Sequence, residues 1–364
     1  MNEMKNYLLI ILINLLTFLY AGCNKEDHLD HDMPHNEMGV PYLPSSLYVA
    51  NEEDGTISVI DPVENKKIGD IHLSENMSSM LMPHNVQVAP DGKSIWVTTI
   101  PETEGEMEQV IVINPTSNHS IIKRINIGTK QHLAHVVFDS LSTYAFVTAN
   151  ETNQVIQIDA KTFTEVKRFN LDSASRPHGL RYSRDHLYVA NMNAKSLSVI
   201  TISNNQINQI PLSGMAVQTA VTPDGKYVFV SLYDTKEIAR YDIQNQQVSK
   251  ILLPPNSQGP IQIYPTPDSK FLYVCDQGVV GGNAASNKVY VIDIANSTVI
   301  NTITVDYAAH GAIISNDGKM AYITNSLSNT ISVIDISTQQ VIHTIAVGKA
   351  PNGISYRFLG GGMP

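Results

Sequence analysis

Along most of the chain, apolar and polar residues alternate in short runs broken by turn residues every eight to twelve positions. The stretch "SLYVANEEDGTISVIDPVENKKIGDIHL" from Ser46 shows the unit: an aromatic and β-branched run ending at Asn, a polar turn, an alternating strand, a second turn and a last strand. The stretch "MAYITNSLSNTISVIDISTQQVIHTIAVG" from Met320 repeats it, and versions start at Ser94, Tyr144, His186, Tyr227 and Phe271. A unit of this length that recurs seven times predicts a repeat architecture built from three-stranded blocks. Charge is nearly absent from strands such as "TISVID", which places both their faces between neighbouring layers.

Six of the blocks are preceded by a further short strand that closes on a tight turn, as in "HNVQVAPDGK", "VQTAVTPDGK" and "HGAIISNDGK". The first block lacks one. The missing strand stands at the far end, in "PNGISYRF" from Pro351, so the last strand is expected to complete the blade begun by the first ones and leave no open edge. The predicted fold is therefore all-β, a seven-bladed β-propeller over 45–358, closed by the C-terminal strand and followed by a short tail, 359–364.

These motifs carry a resemblance. "LYVAN", "FVTAN" and "AYITN", each followed by a "SVID"-like strand and several preceded by a His or Pro-His-Gly opening and an Asp-Gly turn, resemble the YVTN β-propeller repeats, over about Leu47 to Phe358. That family includes surface-layer and exported proteins and resembles the propeller of cytochrome-type nitrite reductase. The resemblance implies the fold. It implies no single activity, because one propeller architecture hosts unrelated chemistries.

The N-terminus reads as an address. A weakly polar start with Lys5, an apolar run from Tyr7 to Tyr20 and the ending "LYAGC" give a signal peptide over 1–22 and resemble a lipobox, with Cys23 as the lipidated residue. Tyr20 stands where such boxes carry Leu. The following "NKEDHLDHD" is similar to the export signal of some surface lipoproteins. The expectation is an outer-membrane lipoprotein, anchored in the membrane by N-terminal lipid and facing the periplasm or the cell surface. A polar tether, 23–44, then holds His28, His31, Met33, His35 and Met38 among carboxylates. Imidazole and thioether suit copper, although a solvated linker needs no ligand to explain it.

Net charge is −10 over 364 residues, which opposes nucleic-acid and anionic-lipid binding. A monomeric propeller, with a protein partner in the cell envelope as an option, fits this surface. With Cys23 lipidated, Cys275 has no disulfide partner and reads as a buried thiol. No Gly-x-Ser-x-Gly elbow, phosphate loop or paired-Cys knuckle occurs, and no CxxCH motif for covalent haem. A binding scaffold is therefore preferred over an enzyme. The alternatives are a metal- or cofactor-dependent redox or hydrolytic propeller and a purely protein-binding module.

The candidate chemistry lies where the innermost strands begin. Counting seven residues back from the turn aspartate aligns His84, His178 and His310 with Val217, Ile261 and Asn352, and His135 joins them through its "AHV" context. Strand antiparallelism puts all of these at one mouth of the central channel. Four histidines converging there would suit copper or another transition metal. Asn352, the neighbouring Gln218 and Gln262, and the rim cation Arg176 are the further ligand-binding candidates, with Lys130 and Lys349 on the same rim. The opposing account is that His simply fills the repeat at a crowded place. The longest insertions, "IPETEGEMEQ" at Ile100–Gln109 and "DQGVVGGNAASNK" at Asp276–Lys288, sit on this same face.

Overall fold

A computed structural model describes residues 40–74, 79–358 and 361–362. Its strands form seven antiparallel sheets, each running from an inner strand at the axis to an outer strand at the rim. The sheet that combines the two ends of the chain is blade 1, and blades 2 to 7 follow in sequence order. The inner strands are Pro351–Phe358, Leu81–Val88, Leu133–Phe138, Pro177–Ser183, Ala216–Val221, Pro260–Pro265 and Ala309–Ile314.

Closure is as the repeat count predicts. The last inner strand pairs with the first strand of the chain in a register that places Leu47 opposite Tyr356 and Tyr48 opposite Ser355. Arg357 clamps this seam. Its guanidinium donates to Gly92 O at 2.9 Å, Leu43 O at 3.1 Å and Pro44 O at 3.2 Å. Ring closure of this kind removes the open edges that a linear array of sheets would expose.

The core lies between blades. Isoleucine, valine and aromatic side chains on facing sheets interdigitate, and the largest of the fully buried ones is Trp96 of blade 2. Its ring meets Phe138 of blade 3 edge-on, with centroids 5.4 Å apart.

Two backbone devices shape the channel. In each inner strand among the described residues the pairing register shifts near the strand start, between pairs such as Pro177/Leu180 and Ala309/Ala312. A bulge interrupts the strict inward–outward alternation of a strand, so two successive residues can both border the lumen. The second device is a hydroxyl bridge between blades. Thr98, Thr148, Ser231 and Thr324 accept the backbone N–H of Asn85, His135, Gln218 and Gly311 at 2.6–3.1 Å. The same hydroxyls donate to the carbonyls of Ala134, His178, Ile261 and Asn352 in the next blade, at 2.7–2.9 Å. In these four blades a Thr or Ser within the second strand thus ties one blade to the next.

Candidate metal centre

The hydroxyl bridges fix which residues are equivalent around the axis. The residue whose carbonyl receives the bridge is Ala134 in blade 3, His178 in blade 4, Ile261 in blade 6 and Asn352 in blade 1. His84, Val217 and His310 take this place in the other blades, one residue before the bridged N–H or before Gly311. His135 is the exception to the sequence alignment: its own N–H is the bridged one, so it stands one residue further in. Blade 3 is offset by one because "FVTAN" carries an extra residue before its Asn, and matching it to "LYVAN" hides the shift. Ala149, the equivalent of Asn51, pairs with Leu133 as Asn51 pairs with Pro351.

The channel therefore has two layers. The mouth layer is Asn352, His84, Ala134, His178, Val217, Ile261 and His310; the deeper one is Gly353, Asn85, His135, Gly179, Gln218, Gln262 and Gly311. The glycines are required where neighbouring blades approach. A Cβ on Gly179 would lie 2.0 Å from Oε1 of Gln218 and 2.6 Å from its Cα. The offset brings His135 under the gap between His84 and His178 and closes a triangle across the two layers. One ligating atom from each of His84, His135 and His178 lies within 4.8 Å of the others.

Hydrogen bonds orient the rings. His178 Nδ1 lies 3.0 Å from Val217 O, and a carbonyl can only accept, so the proton is on Nδ1 and Nε2 keeps its lone pair. At His84 Nδ1 an acceptor and a donor stand equally far off, Glu52 Oε1 and Asn352 Nδ2, each at 3.4 Å. The Nε2 atoms of His84 and His178 face each other at 3.4 Å. Two nitrogens bound to one tetrahedral ion at about 2.0–2.1 Å stand about 3.3–3.4 Å apart, which is the separation found.

The ionisation of the cluster fits a cation. Burial lowers the His178 pKa to about 3, reinforced by the neighbouring His84. Burial also sets His135 well below the ordinary imidazole range, with His178 and His84 adding to it, and brings His132 and His310 down to about 4. Burial would raise Glu52, but hydrogen bonds from His84 and Asn352 override it and hold the carboxyl at about 2. Neutral imidazoles at His135 and His178, with an ionised carboxylate near by, are protonation states that bind metals. Glu52, 33% exposed, supports His84 as a second-layer carboxylate does a metal-bound histidine.

The other candidates take different places. Asn352 Nδ2 donates to Glu52 Oε2 at 2.9 Å and lies 3.4 Å from His84 Nδ1, so it buttresses the carboxylate. His310 stays outside the triangle, with its Nδ1 3.2 Å from Gln277 Nε2. Gln218 reaches His135 Nδ1 at 3.5 Å and donates to Gln262 Oε1 at 2.9 Å. Arg176 is committed to the rim, where it pairs with Glu151 and donates to Asn150 Oδ1 at 3.2 Å. Lys130 stands 4.0 Å from Glu104. Cys275 is buried, where the apolar surroundings push its thiol pKa up, and it lies 3.8 Å from Gly311 O. The glycine-rich insertion is pinned by Tyr233, whose hydroxyl donates to Gly278 O at 2.8 Å and accepts the Val280 N–H at 3.1 Å. Cys23, His28, His31, Met33, His35 and Met38 lie outside the described residues.

Three participants were not singled out from the sequence. Glu52, just after the second strand of blade 1, and Gln277, near the end of that of blade 6, share one repeat position, each donating its N–H to the loop residue two before the mouth position, Ala350 and Gly259 respectively. That repeat position was available as a signal. His132 stands with its ring centroid 6.1 Å from that of His84. Buried Glu108 holds the approach to blade 3 by accepting the N–H groups of Gln131, His132 and Leu133 at 2.7–2.9 Å.

The fold has many relatives. Hydrazine synthase from Kuenenia stuttgartiensis superposes with a TM-score of 0.69 at 18% identity, covering 87% of this chain and 99% of that one. Virginiamycin B lyase from Staphylococcus aureus gives 0.62 at 17%, covering 77% and 92%. The dihydro-heme d1 dehydrogenase NirN gives 0.60 at 15%, covering 83% of this chain and 63% of that one. At such identities the likeness is one of fold. A search of curated protein sequences returns no significant match. A family model does match, over residues 154–352, which is more than half of the chain, and on that match the protein belongs to the family described as Lactonase, 7-bladed beta-propeller.

Proposed function

We propose that this propeller is a metal-binding protein of the cell envelope, holding one transition-metal ion through His84, His135 and His178 at the mouth of its channel. The supporting observation is the pair of Nε2 atoms of His84 and His178 facing each other at 3.4 Å, the spacing of two ligands on one ion, with the His178 Nε2 lone pair fixed by the acceptor on its Nδ1. Three imidazoles suit zinc or copper, and a tetrahedral ion would keep its fourth position towards the mouth. His132, Asn352 and Glu52 border that position and would orient whatever occupies it. Attachment through lipid on Cys23, with the His/Met tether beside it, is part of the same proposal. Calorimetric titration of the full chain with Zn2+ and with Cu+ tests the site. One high-affinity ion per chain, lost in H84A/H178A, is the expected result; equal affinity in the double variant excludes this site.

A second reading draws on the family description. A metal with an open fourth position lowers the pKa of bound water and supplies a hydroxide, which is the nucleophile that opening a lactone ring requires. Zn2+-loaded protein that releases acid from simple lactones, with H84A/H178A inert, supports hydrolysis. Equal rates with and without the protein leave a binder.

A further inference from the structure

Beneath the histidines the channel carries a cation without a counter-ion. Arg181 follows Gly179 by two residues on the inner strand of blade 4, so its side chain borders the lumen one step below the deeper layer. Its Nη1 donates to Leu180 O at 2.9 Å, and the guanidinium stands 5.8 Å from the centroid of the Tyr264 ring. Among the described residues no carboxylate pairs with it. Burial lowers its pKa, yet a guanidinium stays protonated in a protein. A half-buried guanidinium with one carbonyl and a ring face for company attracts a counter-ion.

Two amide donors border the same space. Asn85 Oδ1 accepts the N–H of Val136 at 3.3 Å, which fixes its amide and leaves Nδ2 as a donor with no acceptor among the described residues. Gln262 Oε1 accepts from Gln218 Nε2 at 2.9 Å, which leaves Gln262 Nε2 in the same condition. The Gln218 amide is itself fixed, because its Oε1 accepts the Thr219 N–H at 2.8 Å. Asn85 is 8% and Gln262 4% exposed. Both, with Arg181 and Tyr264, line a cavity of about 10 Å³, room for one particle the size of a water molecule. Water can accept from each of these donors but brings no charge to offset the guanidinium. A negative ion accepts from all of them.

We propose that the channel holds a single small inorganic anion of the halide class, bound by Arg181 and the side-chain amides of Asn85 and Gln262. The small volume favours a monatomic anion over phosphate, sulfate or carboxylate metabolites. The site does not depend on the metal reading, because its donors are separate residues and it is complete in metal-free protein.

The test is thermal unfolding of the full chain, stripped of metal with EDTA, in sodium chloride or bromide against sodium methanesulfonate at equal ionic strength. A saturable rise in Tm of roughly 3–5 °C in halide is expected. Gln262→Glu supplies an internal carboxylate beside Arg181 while keeping the acceptor for Gln218. This variant is expected to melt higher than wild type in methanesulfonate and to lose the halide response. Arg181→Met is expected to lose the response as well. Identical melting of wild type in halide and methanesulfonate overturns the proposal, and so does a Gln262→Glu protein that retains the full halide response.

Discussion

Blades 2 to 4 and blades 5 and 6 share one backbone and one bulge, and a hydroxyl bridge occurs in both arcs, yet they present opposite chemistry to the channel. The first arc offers His84, His135 and His178. The second offers Val217 and Ile261 at the mouth, with Gln218 and Gln262 below them. Since the repeat geometry is common to both, it does not account for the histidines. Their rings are held by contacts the repeat does not supply: Glu52 on His84, the Val217 carbonyl on His178, and Glu108 on the loop leading to His135. The apolar arc also contributes. Its carbonyl fixes the His178 tautomer, and its amide reaches His135.

The largest effect that would break this contrast is on metal affinity. H84A/H178A should lower it by at least a hundredfold by calorimetry, while H310A should change it less than threefold, because His310 stands outside the triangle. An effect of H310A as large as that of the pair would return the mouth to a ring of equal histidines. Next comes packing between blades 4 and 5. Gly179→Ala drives a Cβ into Gln218 and should cost about 2–3 kcal/mol in chemical denaturation. Gly105→Ala has open space around its Cβ, and only the strain of its positive φ counts against it.

A smaller effect separates structure from site. Thr148→Val and Thr324→Val each remove a buried bridge, and each should cost about 1–3 kcal/mol. Only Thr148 bonds the His178 carbonyl and the His135 N–H, so only its loss should weaken metal binding as well. The gentlest test is pH. His132, His135, His178 and His310 are neutral in the folded state and titrate at ordinary values when unfolded. The unfolded chain therefore binds more protons as pH falls below about 6.5, and stability declines from there. Each such histidine contributes up to about 1.4 kcal/mol per pH unit. The Glu52 contribution holds above the ordinary carboxyl range and fades as pH falls from 4.5 towards 2. Flat stability between pH 6.5 and 5 in metal-free protein would contradict this protonation scheme.

Much of the fold was legible because its cause is periodic. Alternation gave the strands, and the missing first inner strand gave the closure by Pro351–Phe358. The site was legible only in part. His84 and His178 follow from the count to the turn aspartate, but the one-residue offset of blade 3 hid the deeper position of His135. The offset shows in the pairing of Leu133 with Ala149, whereas aligning "FVTAN" with "LYVAN" on the Asn conceals it. Glu52 and Arg181 were missed for another reason. Each is an ordinary charged residue until closure of the ring brings it beside a partner far away in sequence, or leaves it without one.

The most direct measurement is Co2+ titration of the metal-free full chain, followed by visible absorption. One equivalent should produce the intense ligand-field bands of a tetrahedral site, and H84A/H178A should abolish them. Weak octahedral-type bands in the wild type, or intense bands that survive in the double variant, would contradict the account.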